Sequence, residues 1–199
     1  MNKYLVALIL ASIFLTCNAH LPPTGVEHTS SKQNHQGVSV VQTDQAILNW
    51  ADKHIIDVYT FYFEDIDKWR LKIRSYFSDQ GYKNFLDSMK KSKTLDTVEQ
   101  KKLIVQPEIE GNSSLVLKGD DTWYVVIPMQ ITYLGPDEKV KHHLLVKLEI
   151  VRQNNSQNTD YIVINSLEVY PNDKTDNAMN KVIKKIKEKA TLDNTRSTD

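Results

Sequence analysis

Cysteine, glycine, proline and net charge are all scarce in this sequence. Of 199 residues one is cysteine (Cys17), six are glycine and six are proline. A single cysteine excludes an internal disulfide and any Cys-x-x-Cys redox or zinc site. Six scattered glycines cannot build a glycine-rich phosphate loop or a dinucleotide fingerprint, and HExxH is absent too. The 25 Lys and Arg residues balance 25 Asp and Glu, which excludes binding of nucleic acid through bulk positive charge. The longest uncharged apolar run, Tyr4 to Thr16, has only 13 residues. As a helix it would rise about 20 Å against a hydrocarbon core of roughly 30 Å, which argues against a conventional membrane anchor. What is present is ordinary for a globular domain: 40% apolar and 25% charged residues.

The first residues read as an export signal spanning 1–19. Lys3 supplies a positive start, Tyr4 to Leu15 an apolar stretch, and Cys17-Asn18-Ala19 small residues at a cleavage point between Ala19 and His20. Thr16 and Phe14 fit poorly to the alternative, lipidation of Cys17. Cleavage would leave no cysteine, and 24 basic against 25 acidic side chains. The expected location is outside the cytoplasm: the periplasm first, with an outer-membrane lipoprotein or an extracellular protein as alternatives.

Residues 20–42 hold Pro22, Pro23, Gly25 and Gly37 among many polar residues and no aromatic, the composition of a disordered tether. From Asp44 the pattern turns helical. Ala46, Ile47, Trp50, Ala51, Ile55, Val58, Tyr59 and Tyr62 recur in steps of three and four. A second helix is expected after Asp67, burying Trp69, Ile73, Tyr76 and Phe77. A third follows the N-cap residue Ser78 with Tyr82, Phe85, Leu86 and Met89 inward. A short fourth runs from Thr94 to about Lys101.

After Leu103 the period drops to two. Strands are expected at Leu103–Glu110, Ser114–Lys118, Thr122–Tyr133, Val140–Arg152 and Tyr161–Tyr170. Pro128 removes a ladder donor from the third of these, so a bulge or bend is expected there. Helices followed by a meander of long strands predict an α+β domain over 43–171, with the N-terminal helices packed on a strongly curved antiparallel sheet. Residues 172–199 read as a basic amphipathic helix and a disordered polar tail. Ala178, Met179, Val182, Ile183 and Ile186 form its apolar stripe, and Lys181, Lys184 and Lys185 lie on its basic side. Docking on the domain, peripheral contact with a membrane or an acidic partner, and fraying all remain open for this helix.

No residue set marks a catalytic, cofactor or metal site. His142 and His143 are neighbours in an expected strand and should point to opposite faces, which places them poorly to ligate one metal together. His54 reads as a packed histidine. Tyr62, Tyr76 and Asp79 are available for acid–base chemistry, but nothing in the sequence groups them.

The set Asn49-Trp50-Ala51, Tyr59-Thr60-Phe61-Tyr62-Phe63, Tyr76-Phe77-Ser78-Asp79-Gln80-Gly81-Tyr82-Lys83-Asn84-Phe85 and Lys101-Lys102-Leu103-Ile104-Val105 resembles the periplasmic domain of the DotI/IcmL family of type IVB (Dot/Icm) secretion systems. Downstream, Trp123-Tyr124-Val125-Val126-Ile127-Pro128, Ile131-Thr132-Tyr133 and Leu144 to Arg152 resemble the family's later strands. The positions that carry the likeness are Trp50, Phe77, Gly81, Phe85, Trp123 and Pro128. The resemblance implies a cone-like α+β fold, a nonenzymatic scaffold role without cofactor, and partners among other secretion proteins and copies of the domain itself. The short N-terminal signal, in place of the family's membrane-spanning helix, suggests a soluble paralogue. A small-ligand binder or enzyme, and an exported protein reusing the domain, are the alternative functions.

Overall fold

The computed structural model describes residues 43–154, 160–172 and 176–196. The cleavage point Ala19–His20 and the tether 20–42 lie outside them.

Helix α1 (Asp44–Tyr59) starts where the Thr43 hydroxyl accepts the Ala46 N–H at 3.2 Å. Its buried side is Ile47, Ala51, Ile55, Val58 and Tyr59. The helix stops before Tyr62, contrary to the expected stripe. Phe61–Tyr62 instead forms a two-residue strand, β1, paired antiparallel with Val105 and Ile104. This buries Phe61 and leaves Tyr62 43% exposed. Helix α2 (Ile66–Arg74) begins one residue before Asp67 and ends before Tyr76 and Phe77, which the sequence pattern places on it. Tertiary pairing overrides the local period here. The Ile164 N–H donates to the Tyr76 carbonyl at 2.8 Å, and the Ser78 N–H donates to the Ile164 carbonyl at 3.0 Å, forming a parallel bridge between Phe77 and Ile164. Helices α3 (Asp79–Lys91) and α4 (Thr94–Gln100) follow as expected.

The sheet comprises β1, β2 (Ile104–Ile109), β3 (Ser114–Lys118), β4 (Thr122–Leu134), β5 (Lys139–Asn154) and β6 (Asp160–Pro171). Its order is β1-β2-β4-β5-β6, with β3 also on β4, and these strands pair antiparallel throughout. The sheet is strongly curved around α1–α4. One edge of β4 serves two partners in turn: β3 pairs with Trp123–Val126 and β2 with Met129–Leu134.

Pro128 sits at that changeover, and this corrects the expected bulge. Register with β5 runs unbroken through Pro128 opposite Leu145. The Pro128 carbonyl accepts the Glu110 N–H at 2.8 Å on the β2/β3 side. A residue's N–H and C=O project to the same edge of an antiparallel strand. The missing donor therefore falls opposite Glu110, at the very end of the β2 ladder and before β3 takes over, so its loss interrupts no continuing pairing. The irregularities lie elsewhere, between Leu115 and Leu117 of β3 and at Glu149/Ile150 in the β5–β6 pairing.

The inner face of the sheet meets the four helices. Trp123, Val125, Ile127, Met129 and Ile131 of β4 and Val146, Leu148 and Ile150 of β5 pack with Ile55, Trp69, Ile73 and Phe85. The outer face carries a second, smaller cluster, in which Val126 and Leu145 receive Val182 and Ile186 of α5 (Asp176–Arg196). The C-terminal helix thus docks, on the face opposite the other helices. It also continues through Arg196, past Leu192, where the sequence reading places a disordered tail.

Candidate interaction surface

The α2–α3 connection is built to press against the sheet edge. Ser78 caps α3 by accepting the Gly81 N–H at 3.0 Å and reaches across to Asn165 Oδ1 at 2.9 Å. Gly81 lies directly over β6: a Cβ there would stand 2.6 Å from the Ile164 carbonyl oxygen. Phe77 stacks on Phe85 with ring centroids 5.2 Å apart. The bridge through Tyr76–Ser78 covers part of the β6 edge, which would otherwise offer free backbone groups. Beside it an open groove runs between α2, the α3 start and the β5–β6 hairpin, lined by Leu71, Arg74, Phe77, Tyr161, Val163 and Asn165 among others. Leu71 is 79% and Tyr161 42% exposed. Arg74 and Asp79 pair at its rim. An apolar floor with a paired polar rim suits recognition of a protein surface.

A second cluster lies on α1. Trp50 stacks on His54 with centroids 4.2 Å apart, and Tyr76 meets the same imidazole edge-on at 4.5 Å. The His54 Nδ1–H donates to the Trp50 carbonyl at 2.7 Å. Asp57 accepts from Tyr76 at 3.0 Å and from Lys72 at 2.8 Å. Burial pushes the Asp57 carboxyl up, but the hydrogen bonds from Lys72 and Tyr76 outweigh it and hold the carboxyl below its ordinary value. Burial lowers His54, opposed by its bond to the Trp50 carbonyl, and burial with the neighbouring His143 lowers His142. Both histidines thus favour the neutral form when folded. Their contribution to stability is complete above the ordinary value of 6.5 and is lost as pH falls through the lowered folded values. The melting temperature should therefore hold level from about pH 8 to 7 and decline below about pH 6. His54→Phe, which keeps the stacking, should flatten that decline, and thermal unfolding across this range checks it. An unchanged decline would remove His54 as a source.

Trp50, Phe77, Gly81, Phe85, Trp123 and Pro128 do not converge on one chemical site. Trp123 is buried on the inner face, with the Arg152 guanidinium 5.6 Å from its ring centroid. Phe77, Gly81 and Phe85 lie where α3 meets β6, Trp50 lies on α1 against His54, and Pro128 lies on β4 opposite Leu145. Tyr62, Tyr76 and Asp79 are also dispersed: Tyr62 on β1, Tyr76 against Asp57, Asp79 against Arg74. His142 meets the Tyr133 ring at 5.6 Å and His143 bonds Glu110 at 2.6 Å, on opposite faces as the alternation requires. Lys181, Lys184 and Lys185 are exposed on α5; Lys185 lies 5.4 Å from the Tyr170 ring centroid, and Lys184 is 3.7 Å from Glu188. Sequence reasoning missed the groove. Its signal was Leu71, a lone apolar residue on the polar side of α2.

The family model for the type IVB secretion system inner-membrane complex component, DotI/IcmL, matches residues 36–170, well over half of the chain. The chain belongs to this family. The DotI/IcmL assignment agrees with solved structures. The periplasmic domain of DotI is 28% identical, aligns over 67% of this chain and 99% of that one, and superposes with a TM-score of 0.62. An IcmL-like type IV secretion system protein from Legionella pneumophila shares the fold at 22% identity, over 65% of this chain and 93% of that one, with a TM-score of 0.61. A periplasmic fragment of TraM shares it at 14% identity, over 65% and 98%, with a TM-score of 0.57. A comparison with curated proteins finds no match. The DotI/IcmL match ends at Tyr170, before α5. Among the described residues no helix is long and apolar enough to cross a membrane, and no three His, Cys, Asp or Glu side chains converge as a metal site.

Proposed function

We propose that this chain is a nonenzymatic periplasmic interaction and scaffold module of a type IVB secretion apparatus. The observation that carries the reading is the fit of nearly the whole DotI periplasmic domain onto this chain, within a family described as an inner-membrane complex component. The export signal read at residues 1–19 supports the compartment. The physical design supports the role: the cone is filled by Trp69, Phe77, Phe85 and Trp123, and the exposed apolar side chains Leu71 and Tyr161 stand at an open rim. Other secretion components and further copies of the domain are its partners, with the α2–β6 groove as a contact surface.

Affinity capture of the tagged protein from secretion-competent cells tests this. It should recover other periplasmic secretion components. Leu71→Asp with Tyr161→Asp should reduce that recovery at least about tenfold while leaving the melting temperature nearly unchanged, because exposed substitutions shift stability by only about 0.5 kcal/mol. Capture that recovers no secretion component, from cells in which fractionation finds the protein in the medium, would favour an exported protein that reuses the domain.

A further inference from the structure

The docked position of α5 constrains what its lysines can do. Ala178, Met179, Val182 and Ile186 face the sheet, packed with Val116, Leu117, Tyr124, Val126, Leu145 and Tyr170. Val182 and Ile186 are 4% and 3% exposed. With this stripe occupied, α5 cannot lay its apolar side into a bilayer while it stays docked. Lys181, Lys184, Lys185 and Lys187 are all exposed, and Glu188 is the acid among them. Asp176, Asp193 and Arg196 lie at or near the helix ends, and a further cation, Lys189, follows Glu188 in the chain. Lys147, beneath on the same outer face, is already neutralised by Glu168 at 2.8 Å and adds nothing to the patch.

We infer that this lysine row is a non-inserting electrostatic contact for an anionic phospholipid surface, holding the outer face of the domain toward the membrane. A shaped protein interface needs apolar or aromatic anchors at its centre. Among the described residues, the exposed large apolar side chains, Tyr62, Leu71, Val140, Tyr161 and Val169, are all off α5. A row of cations on a convex face without an anchor fits a diffuse, flat, negative surface. Each lysine near such a surface is worth about fivefold in affinity, and the contact decays over a screening length of about 10 Å at 0.1 M salt. The inference rests on the secretion-complex reading, which places the domain beside a bilayer. It concerns a helix that the family match does not reach.

The test is co-sedimentation of the full-length protein, purified after export, with vesicles of phosphatidylcholine alone or mixed with phosphatidylglycerol. Binding is expected only to the mixed vesicles, at low salt, with loss at about 0.5 M salt. Lys181→Glu, Lys184→Glu and Lys187→Glu together should lower that binding at least about tenfold. Circular dichroism and the melting temperature should stay unchanged, because none of the three side chains is packed against the sheet. Three results would overturn the inference: no binding to mixed vesicles at low salt; equal, salt-resistant binding to neutral vesicles, which would mean insertion of an undocked helix; or failure on vesicles alongside lysine-dependent capture of an acidic protein. No secretion component is present in this assay, so its failure leaves the scaffold reading standing, and a failed affinity capture leaves the vesicle result standing.

Discussion

Trp69→Ala is expected to cost about 3–5 kcal/mol of folding stability. The indole is 5% exposed and lies between helices and sheet. Its ring sits 4.5 Å from Phe61 and 6.2 Å from Phe85, centroid to centroid. It therefore ties β1 and α3 to α2. Its Nε1–H donates to the Val58 carbonyl at 3.0 Å. Val58 lies in the last turn of α1, where helix carbonyls have no intrahelical donor. One side chain thus fills the core and caps the C-terminal end of a different helix. Alanine would leave a cavity and a buried acceptor without a partner. Trp69→Phe separates the two effects: it keeps most of the ring and loses the donor, for an expected cost of about 1–3 kcal/mol. Urea unfolding followed by far-UV circular dichroism gives both values. A loss below about 1 kcal/mol for the alanine variant would contradict the packing.

The second large effect has a sign that helix propensity alone gets wrong. Gly81 lies in the first turn of α3, and an alanine in a helix is ordinarily better than glycine by roughly 0.5–1 kcal/mol. At Gly81 a Cβ would meet the Ile164 and Asn165 carbonyl oxygens at 2.6 and 2.8 Å and the Ser78 hydroxyl at 3.0 Å. Both carbonyls are backbone of β6 and cannot rotate aside. The helix start would have to lift, straining the Ser78 cap and the bridge from Tyr76 and Ser78 to Ile164. Gly81→Ala should therefore destabilise by about 1–3 kcal/mol, the scale of overpacking. The same denaturation experiment reads it, and a stabilised variant would show that α3 does not approach β6 this closely.

These two residues illustrate how legibility varied along the chain. Trp69 falls on a 3.6-residue stripe with Ile66 and Ile73, so its burial is visible in the spacing. Its hydrogen bond to Val58 is not, because the separation of eleven residues is closed only by the turn through β1. Gly81 stands out as a glycine in a helical pattern. What forbids a side chain there is a strand more than eighty residues later. The long alternation from Trp123 to Ile131 identifies β4 and its inner face outright. The same alternation cannot say that Pro128 marks the changeover between β2 and β3, since that depends on which strands arrive beside it. Tyr76 and Phe77 carry a helical signal that fails because a backbone pairing with Ile164 outcompetes one more helical turn. Leu71 stands out only as a lone apolar residue on the polar side of α2 and Tyr161 not at all; they form a groove only when α2 and the β5–β6 hairpin meet.

The order of elements, the inward side of each helix, the two faces of the long strands and the likeness to the DotI/IcmL family were all decided locally. Each rests on side-chain period or on short residue runs that survive in any context. Where the helices stop, which edge tolerates a proline, and that α5 spends its apolar stripe on the outer face of the sheet were decided by the tertiary structure. Those outcomes depend on contacts between segments far apart in sequence, and only the assembled sheet determines which backbone groups and apolar surfaces are left to be covered.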